Sequence, residues 1–426
     1  MFASVPLVRT FAVAAAFSAA AIAACFAGPA GLPADPVAAT GSPAAAPVRS
    51  GPVAPPTVEA LEAWRVDLDG IPAGAVRALP GAEAAGAAGG APAALFLVPF
   101  GSALEARRAV DGSLAWRRDG VSGSGLESDP IPGFGATGAT APIAWAGLDG
   151  DGTARFELLL PGSGATLAAA GLEERPVGPP LAMPPEGEDG SRWYVPLPRG
   201  RIAVFDGAAA RAGTIEMQQE ISPPLVRIAG SVIAVIGPER RAARVGSVPR
   251  RNAPRDLDPA TAAATDGIAV AARERGVAAW RVRPLRRGTM RFHLDWEQHL
   301  GGRVSAAPLF AAPLVLVPCW DTFLYAFEMR SGHLVWRARA EHRLTTSPLR
   351  WRIFTALQPS TAPSVLFFDL LEGRPAGRID AGEEQQFVAA PAIAGDLLVA
   401  ATSRPPSRTA VLRAYALKVA SRTPGR

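Results

Sequence analysis

One short pattern recurs along the chain, and this recurrence constrains the fold more than any other feature. Residues 324–337 (LYAFEMRSGHLVWR) and residues 104–117 (LEARRAVDGSLAWR) each begin eight residues before a glycine and place a tryptophan four residues after it. Apolar stretches on both sides of a glycine turn predict a β-hairpin. The chain is therefore predicted to consist of repeated β units.

Looser copies of this hairpin keep the strand and the turn, and they begin at Phe156, Ile202, Val277 and Val365. A small residue followed by proline precedes short apolar strands between the hairpins, as in SAAPLFA from Ser305. Proline is tolerated at the first position of a strand. Each unit therefore reads as four antiparallel strands, namely a proline-led strand, a middle strand and the hairpin.

Four-stranded units of this kind predict an all-β fold, a β-propeller, because a sheet with two apolar faces must be packed between neighbouring sheets. The intervals between successive turn glycines are 52, 49, 75, 44 and 41 residues. The 75-residue interval, from Gly213 to Gly288, holds either one blade with an arginine-rich and proline-rich insertion or an additional blade. Seven blades are the main prediction and eight blades are the alternative.

The two ends of the repeat region predict how the ring closes. The last unit ends with VLRAYALKV at 411–419, which has no hairpin partner after it. The first unit is preceded by LEAWRVDLDG at 61–70, an outer strand with no strand before it. Pairing these two segments would complete the last blade with the N-terminal strand and satisfy its edge hydrogen bonds.

The N-terminal region predicts export. Residues 1–24 have the proportions of a signal peptide, since Arg9 precedes a mostly apolar stretch of 14 residues. Residues Ile22 to Cys25 are similar to the bacterial lipobox, in which the cysteine is lipidated; ordinary cleavage after Ala23, giving a soluble secreted protein, is the alternative. Residues 25–57, rich in proline, alanine and glycine, are predicted to form an extended tether before the propeller at 58–426.

The hairpin residues resemble those of the pyrroloquinoline-quinone-like (PQQ-like) β-propeller repeat family, whose consensus places Tyr-Ala, a turn glycine and a tryptophan in this order. The resemblance covers roughly residues 58–421, strongly in two units and loosely in the others. It implies that the tryptophan packs between adjacent blades, a role assigned here to Trp64, Trp116 and Trp336. The counterparts read in other units depart from tryptophan: Ala168, Met217, Phe292 and Gly377.

Two functional classes follow from this resemblance. Quinoprotein dehydrogenases are eight-bladed enzymes that hold the quinone and calcium at the ring centre under a vicinal disulfide, whereas this chain has no adjacent cysteines and a single asparagine, Asn252. The second class is typified by the non-catalytic propeller lipoprotein of the outer-membrane β-barrel assembly machinery. Signal, lipobox, tether and propeller follow the layout of the second class.

The predicted function is therefore a non-catalytic scaffold that binds other envelope proteins at the periplasmic face of the outer membrane, without a cofactor. A monomer within a larger assembly is expected. The alternative is a propeller with a small ligand or metal in its central channel, such as a degenerate PQQ-dependent dehydrogenase. Nucleic acid is not an expected partner, because the arginines are scattered singly and do not form an aromatic-interleaved stripe.

Two local patterns are weak candidates for metal binding. Asp149 and Asp151 lie in GLDGDGTARFE, which resembles an aspartate-rich calcium turn, although a glycine-rich hairpin turn also explains it. In RFHLDWEQHL at 291–300, strand alternation places His293 and Asp295 on one face with Glu297 and His299, and Phe292, Leu294 and Trp296 on the other. A half-buried outer strand is the competing explanation. No metal site is therefore predicted from either of the two patterns.

Overall fold

The computed structural model describes residues 55–79, 94–100, 103–119, 142–183, 192–228, 231–245, 253–255, 257–265, 267–273, 276–285, 290–359 and 362–420. The predicted signal peptide, the predicted lipidation site Cys25 and nearly all of the predicted tether lie outside these residues. The described residues, from 55 to 420, belong to one compact unit. No helix in the described part of the chain is long and apolar enough to cross a membrane.

The described residues form eight antiparallel sheets, the blades of a β-propeller. Blade 1 contains β2 (Arg77–Leu79), β3 (Leu95–Pro99), β4 (Ala103–Arg108) and β5 (Leu114–Asp119). Blade 2 contains β6 (Ile143–Leu148), β7 (Ala154–Leu159) and β8 (Thr166–Gly171). Blade 3 contains β9 (Leu181–Met183), β10 (Arg192–Leu197), β11 (Arg201–Asp206) and β12 (Arg211–Glu216). Blade 4 contains β13 (Ile221–Ile228), β14 (Ser231–Ile236) and β15 (Arg241–Arg244).

The second half of the ring is built in the same way. Blade 5 contains β16 (Asp258–Thr265), β17 (Ile268–Arg273), β18 (Gly276–Pro284) and β19 (Met290–His299). Blade 6 contains β20 (Leu309–Ala311), β21 (Leu314–Pro318), β22 (Phe323–Glu328) and β23 (Leu334–Arg339). Blade 7 contains β24 (Leu349–Trp351), β25 (Phe354–Leu357), β26 (Ser364–Asp369) and β27 (Pro375–Asp380). Blade 8 contains β28 (Gln386–Phe387), β29 (Ala392–Ala394), β30 (Leu397–Ser403), β31 (Ala410–Ala420) and β1 (Thr57–Leu68).

The four-stranded propeller architecture is confirmed, but the main prediction of seven blades is wrong. The additional blade is blade 4, which lies inside the 75-residue glycine interval. Its outer position is occupied by a short segment that makes two backbone hydrogen bonds to the region of β15, from Ala242 N to Pro254 O and from Leu257 N to Arg240 O. Because this segment lacks the glycine and tryptophan of the recurrent hairpin, the repeat pattern did not reveal the blade.

The two ends of the repeat region pair as the sequence predicted. Strand β1 runs antiparallel to β31, with Thr57 opposite Ala420 at one end and Leu68 opposite Ala410 at the other. Trp64 lies opposite Ala414 within this pair. The N-terminal strand therefore supplies the outer strand of blade 8, and the ring is closed by backbone hydrogen bonds between the two ends of the chain.

A β-bulge in the outer strand gives the blades a common register. In seven blades one residue of the outer strand has no partner on the neighbouring strand. The outer-strand residue that directly follows this unpaired residue occupies an equivalent position in each of the seven blades. In chain order, the residues at this position are Trp64, Trp116, Ala168, Gly213, Trp296, Trp336 and Gly377. The sequence-based counterparts Met217 and Phe292 were therefore wrong, because spacing alone did not account for the longer turns before them.

The tryptophans at this position pack against the next blade. The indole N–H of Trp116 donates to Pro161 O (2.7 Å), and that of Trp336 donates to Leu370 O (3.0 Å). Trp64 and Trp296 make the same bond, to Ala109 O (2.8 Å) and Met329 O (3.0 Å). Each carbonyl belongs to the residue three positions before a turn glycine, so all four indoles dock on equivalent turns.

The facing glycines are required by this contact. Gly112, Gly164 and Gly332 have φ of +73°, +66° and +69°, and an added Cβ would come within 2.5 Å of the facing indole. Gly373 has the same relation to Trp336. A side chain at these positions would be disfavoured by the left-handed backbone and by overlap with the ring.

The side-chain volumes at each docking position are complementary. Every docking tryptophan lies opposite an alanine on the neighbouring strand: Ala414, Ala106, Ala279 or Ala326. Where tryptophan is replaced by a small residue, the opposite residue is larger: Leu158, Val204 or Phe367. Close packing is thus retained in each blade because one large side chain is exchanged for another.

Two of the substituted positions have further structural explanations. Ala168 is in blade 2, and the next hairpin turn, in blade 3, has Ala209 and not glycine at its left-handed position (φ +56°). The blade that lacks the tryptophan is therefore followed by a turn that carries a side chain. Gly377 in blade 7 faces the incoming strand β1, where an added Cβ would lie 2.7 Å from Val58 O. The glycine therefore makes room for the N-terminal strand that closes the ring.

A double-mutant cycle tests the coupling between the indole and the glycine. We expect Trp336→Ala to lower the free energy of unfolding by about 3–5 kcal/mol, because it leaves a cavity between blades 6 and 7. Gly373→Ala should also destabilise, through backbone strain and overlap with the ring. In the Trp336→Ala background, Gly373→Ala should cost about 1–3 kcal/mol less than in the wild type, because only the strain remains. Chemical denaturation measures all four proteins.

Gly152→Ala is the matched control, since Gly152 has φ of +83° but nothing within 4 Å of an added Cβ. This change should lower the free energy of unfolding by about 1–2 kcal/mol in either background, because only the left-handed backbone conformation disfavours alanine there. Additive effects of Trp336→Ala and Gly373→Ala would contradict the docking model.

Candidate functional site

The propeller has two ends with different loops. One end, here called the connector face, carries the segments that join the outer strand of one blade to the inner strand of the next, together with the turns between the second and third strands. Backbone bonds such as Ser305 N to Pro318 O (3.1 Å) hold these two kinds of loop together. The opposite end, the turn face, carries the hairpin turns that contain the docking glycines. Loops on a rigid scaffold are common positions for binding residues.

The connector face of blade 6 presents an exposed tryptophan. Trp320 lies in the turn between β21 and β22, and 44% of its surface is accessible. Its backbone N–H donates to Arg303 O (2.9 Å) in the segment that joins blade 5 to blade 6. Within the described residues it is the one aromatic side chain among the exposed large apolar residues. Its position is therefore not explained by packing in the core.

The turn that carries Trp320 is fixed by its neighbour Asp321. One carboxylate oxygen accepts the phenol of Tyr325 (2.6 Å), and the other accepts the backbone N–H of Phe323 (3.1 Å). Gly302 allows the close approach of this turn, because an added Cβ would lie 2.9 Å from Asp321 N. The hydrogen bonds hold the turn in one conformation, so the exposed indole is pre-positioned.

Two guanidinium groups flank the indole. The Cζ atom of Arg303 lies 5.8 Å from the ring centroid, and that of Arg343, from the segment joining blades 6 and 7, lies 5.9 Å from it. Both distances are within the range of a cation–π interaction. Arg303 also binds Asp258 (2.8 Å), whose other oxygen binds Arg240 (3.2 Å). We call Trp320, Arg303, Arg343 and Asp258 the Trp320 cluster.

Sequence reasoning missed this cluster because its members come from four separate segments of the chain. Trp320 stands just after the apolar stretch LVLVP and not in the recurrent hairpin, and neither arginine belongs to a local motif. Cys319, beside Trp320, is fully buried, and burial raises the pKa of its thiol to about 12. The structure therefore gives Cys319 the environment of a core residue.

Two buried carboxylates replace tyrosine in the repeat. Glu105 and Glu157 lie seven residues before their turn glycines, where blade 6 has Tyr325. Glu105 accepts hydrogen bonds from Arg107 (2.6 and 2.9 Å) and from Arg117 (2.9 Å). Glu157 accepts a bond of 2.5 Å from Arg118 of the preceding blade.

Both carboxylates form ion pairs with arginines, and the pair of Glu157 with Arg118 also links two blades. Removing one partner of a buried ion pair leaves an uncompensated charge, which is strongly destabilising. Their geometry therefore supports a structural contribution, and the departure from tyrosine in the repeat is the sequence signal that could have identified them.

The aspartates of the predicted calcium turn are occupied by hydrogen bonds within the turn. Asp149 accepts the backbone N–H groups of Asp151 (3.2 Å) and Thr153 (3.1 Å), and it pairs with Arg155 (2.5 Å). The side-chain contact with Asp149, and after it the hydrogen bonds donated by Thr153, lower the pKa of Asp151 to about 2. This arrangement stabilises the turn between β6 and β7.

The predicted arrangement of strand 291–300 is wrong, because the bulge at Asp295 reverses the side of the residues after it. Leu294 lies opposite Trp280 and Trp296 lies opposite Ala279, so these two side chains point to opposite faces. His293 and Glu297 are separated in the same way. His293 Nδ1 lies 3.1 Å from Asp295 Oδ1, which also accepts from Arg281 (2.9 Å). Within the described residues, no group of three or more histidine, cysteine or acidic side chains is arranged to hold a metal ion.

The architecture defines an eight-bladed β-propeller, and solved structures share this fold. A crystal structure of BamB from Moraxella catarrhalis is 14% identical to the chain with a TM-score of 0.53, covering 84% of this chain and 97% of that one. A crystal structure of the computationally designed Ika8 protein is 12% identical with a TM-score of 0.53, covering 83% of this chain and 99% of that one. No protein-family model and no curated protein match the chain. At these identities the likeness establishes the fold.

The tyrosine below the exposed indole predicts a pH dependence. Burial and then the hydrogen bond to Asp321 raise the pKa of Tyr325 from 10.0 to about 12. Its contribution to stability should be fully present below pH 10 and lost as the pH rises towards 12, because the phenol of the unfolded chain ionises first. Tyr325→Phe should cost about 1–2 kcal/mol at pH 9 and less at pH 11. Urea unfolding at both values measures this; an equal cost at both values would contradict the assignment.

Proposed function

We propose that the chain is a non-catalytic scaffold lipoprotein of the bacterial cell envelope, anchored through Cys25 at the periplasmic face of the outer membrane. The observation that carries the proposal is the closed eight-bladed ring, which is similar to BamB over 97% of the length of that protein. The PQQ-like hairpin residues support the same class. The sequence layout of signal, lipobox and tether supplies the envelope context.

The arrangement of the polar groups supports a binding function. The buried carboxylates Glu105 and Glu157 are each held by arginines, and Asp149 and Asp151 stabilise their own turn. The Trp320 cluster instead presents an indole and two guanidinium groups at the surface. Tryptophan and arginine are the residue types most enriched among energetically important interface contacts.

The path of the chain supports attachment at one end and binding at the other. Strand β1 begins at Thr57, paired with Ala420 on the turn face, and ends near the connector that leads into blade 1. The predicted tether between Cys25 and Thr57 would span about 30 Å as a flexible coil or about 100 Å as an extended polyproline helix.

Lipid labelling tests the anchor. In the bacterium that encodes the chain, we expect metabolic incorporation of an alkyne-tagged fatty acid into the wild-type protein and recovery of the labelled protein with the outer membrane. Cys25→Ser should abolish the label and release the protein in soluble form. Cys319→Ser is the matched control, since Cys319 is the one other cysteine and is buried. Label retained in Cys25→Ser would refute lipidation at this residue.

Reconstitution with PQQ and calcium tests the non-catalytic assignment. We expect no saturable quenching of protein fluorescence by PQQ and no dye reduction with alcohols or aldose sugars. The measurement uses the full chain with the calcium concentration varied, and a PQQ-dependent dehydrogenase serves as the positive control. Saturable quinone binding accompanied by dye reduction would replace the scaffold proposal with the dehydrogenase alternative.

A further inference from the structure

We infer that the Trp320 cluster binds an acidic polypeptide segment that contributes an apolar side chain beside its carboxylates. This inference rests on the proposed scaffold function and specifies the binding site and the chemistry of the partner. Four observations carry it: the exposure of the indole, the fixed conformation of its turn, the two adjacent guanidinium groups, and the excess of positive charge around them.

The indole is both exposed and held in place. Its turn is fixed by hydrogen bonds from Tyr325 and Phe323 to Asp321, and its own backbone N–H is bound to Arg303 O. A side chain on a fixed turn loses little conformational entropy when a partner packs against it. An exposed tryptophan buries a large apolar area on contact and therefore favours an apolar side chain in the partner.

The guanidinium groups are poorly neutralised within the cluster. Arg303 and Arg240 share the single carboxylate of Asp258. Arg343 lies over the indole at 5.9 Å from its centroid, and among the described residues it has no carboxylate within 4.0 Å. The nearby acidic residue Glu341 is bound instead to Arg378 (2.8 Å). The cluster and its immediate neighbours thus hold three guanidinium groups, of Arg240, Arg303 and Arg343, and two carboxylates, of Asp258 and Asp321, so positive charge is in excess.

Some other surface arginines are neutralised more fully. Arg378 lies between Asp380 and Glu341, and Arg117 contacts both Glu105 and Asp119. Excess positive charge at the Trp320 cluster favours carboxylates in a partner, and guanidinium groups bind carboxylates in a bidentate geometry.

A polypeptide fits this surface better than an anionic membrane. The cluster offers one indole, and the carboxylate of Asp258 is bound to Arg303 within it. A membrane-binding surface is expected to combine several apolar side chains with a continuous basic patch. The proposed anchor also joins the propeller at the turn face, which is opposite the cluster.

Site-specific photocrosslinking in the encoding bacterium tests the inference. Benzoylphenylalanine replaces His342, an exposed residue beside Arg343, in the full-length protein, and mass spectrometry identifies the crosslinked peptide. We expect an envelope protein crosslinked through a segment with net negative charge and at least one aromatic or aliphatic side chain. A synthetic peptide with the identified sequence is then titrated against the purified protein by fluorescence anisotropy.

The variants separate the indole and the charge from a general loss of folding. Trp320→Ala and Arg343→Glu should each weaken peptide binding about tenfold or more, whereas Trp320→Phe and Arg343→Lys should retain most of it. Arg330→Glu and Leu371→Ala alter exposed residues of the turn face and should leave binding unchanged. Thermal unfolding of each variant verifies that the propeller remains folded.

Several outcomes would overturn the inference. Crosslinks only from a probe at Arg330 would place the partner on the turn face, retaining the scaffold function but refuting the Trp320 cluster. A neutral or basic crosslinked segment, or binding that survives Trp320→Ala, would refute the proposed chemistry. Binding to phosphatidylglycerol vesicles without a protein crosslink would assign the cluster to lipid. The absence of crosslinks from both faces would refute the inference together with the scaffold function.

Discussion

The structure depends on the contact between an indole on one blade and a turn glycine on the next. A blade has two apolar faces and is stable only when both are covered, so the ring requires a repeated means of fixing one sheet against another. Trp64, Trp116, Trp296 and Trp336 provide it through the same hydrogen bond and the same glycine contact. The alanine opposite each tryptophan makes room for the ring on its own blade.

The ring closure depends on the same geometry in a modified form. At the last blade there is no hairpin turn for a tryptophan to contact, because the third and outer strands come from opposite ends of the chain. Gly377 occupies the tryptophan position there, and Val58 of the N-terminal strand lies against it. The packing rule is therefore adjusted where the topology changes. The resulting rigid ring holds the connector loops, and with them Trp320 and its arginines, in fixed positions.

Much of the fold could be predicted from the sequence because the repeat carries its own turn and packing residues. The hairpins that begin at Leu104 and Leu324 show the pattern most clearly, and the pairing of the chain ends followed from the two unpaired strands. Blade 4 was missed because its outer segment lacks the hairpin signature. Trp296 was misplaced because a β-bulge, which spacing does not reveal, changes the face of the residues after it. The Trp320 cluster could not be predicted, since tertiary structure alone brings Arg303 and Arg343 to the indole.

The central claim is that the blades form a closed ring held by pairing between the two ends of the chain. The most direct measurement is oxidation of a Glu59→Cys, Lys418→Cys variant in a Cys25→Ser background, since Glu59 and Lys418 are directly opposite each other in the β1–β31 pair. The structure predicts rapid formation of an intramolecular disulfide in the native protein, a faster-migrating band on a non-reducing gel, and a higher unfolding temperature than in the reduced form. Failure to form this bond in the folded monomer, or formation only between molecules, would contradict the closed ring.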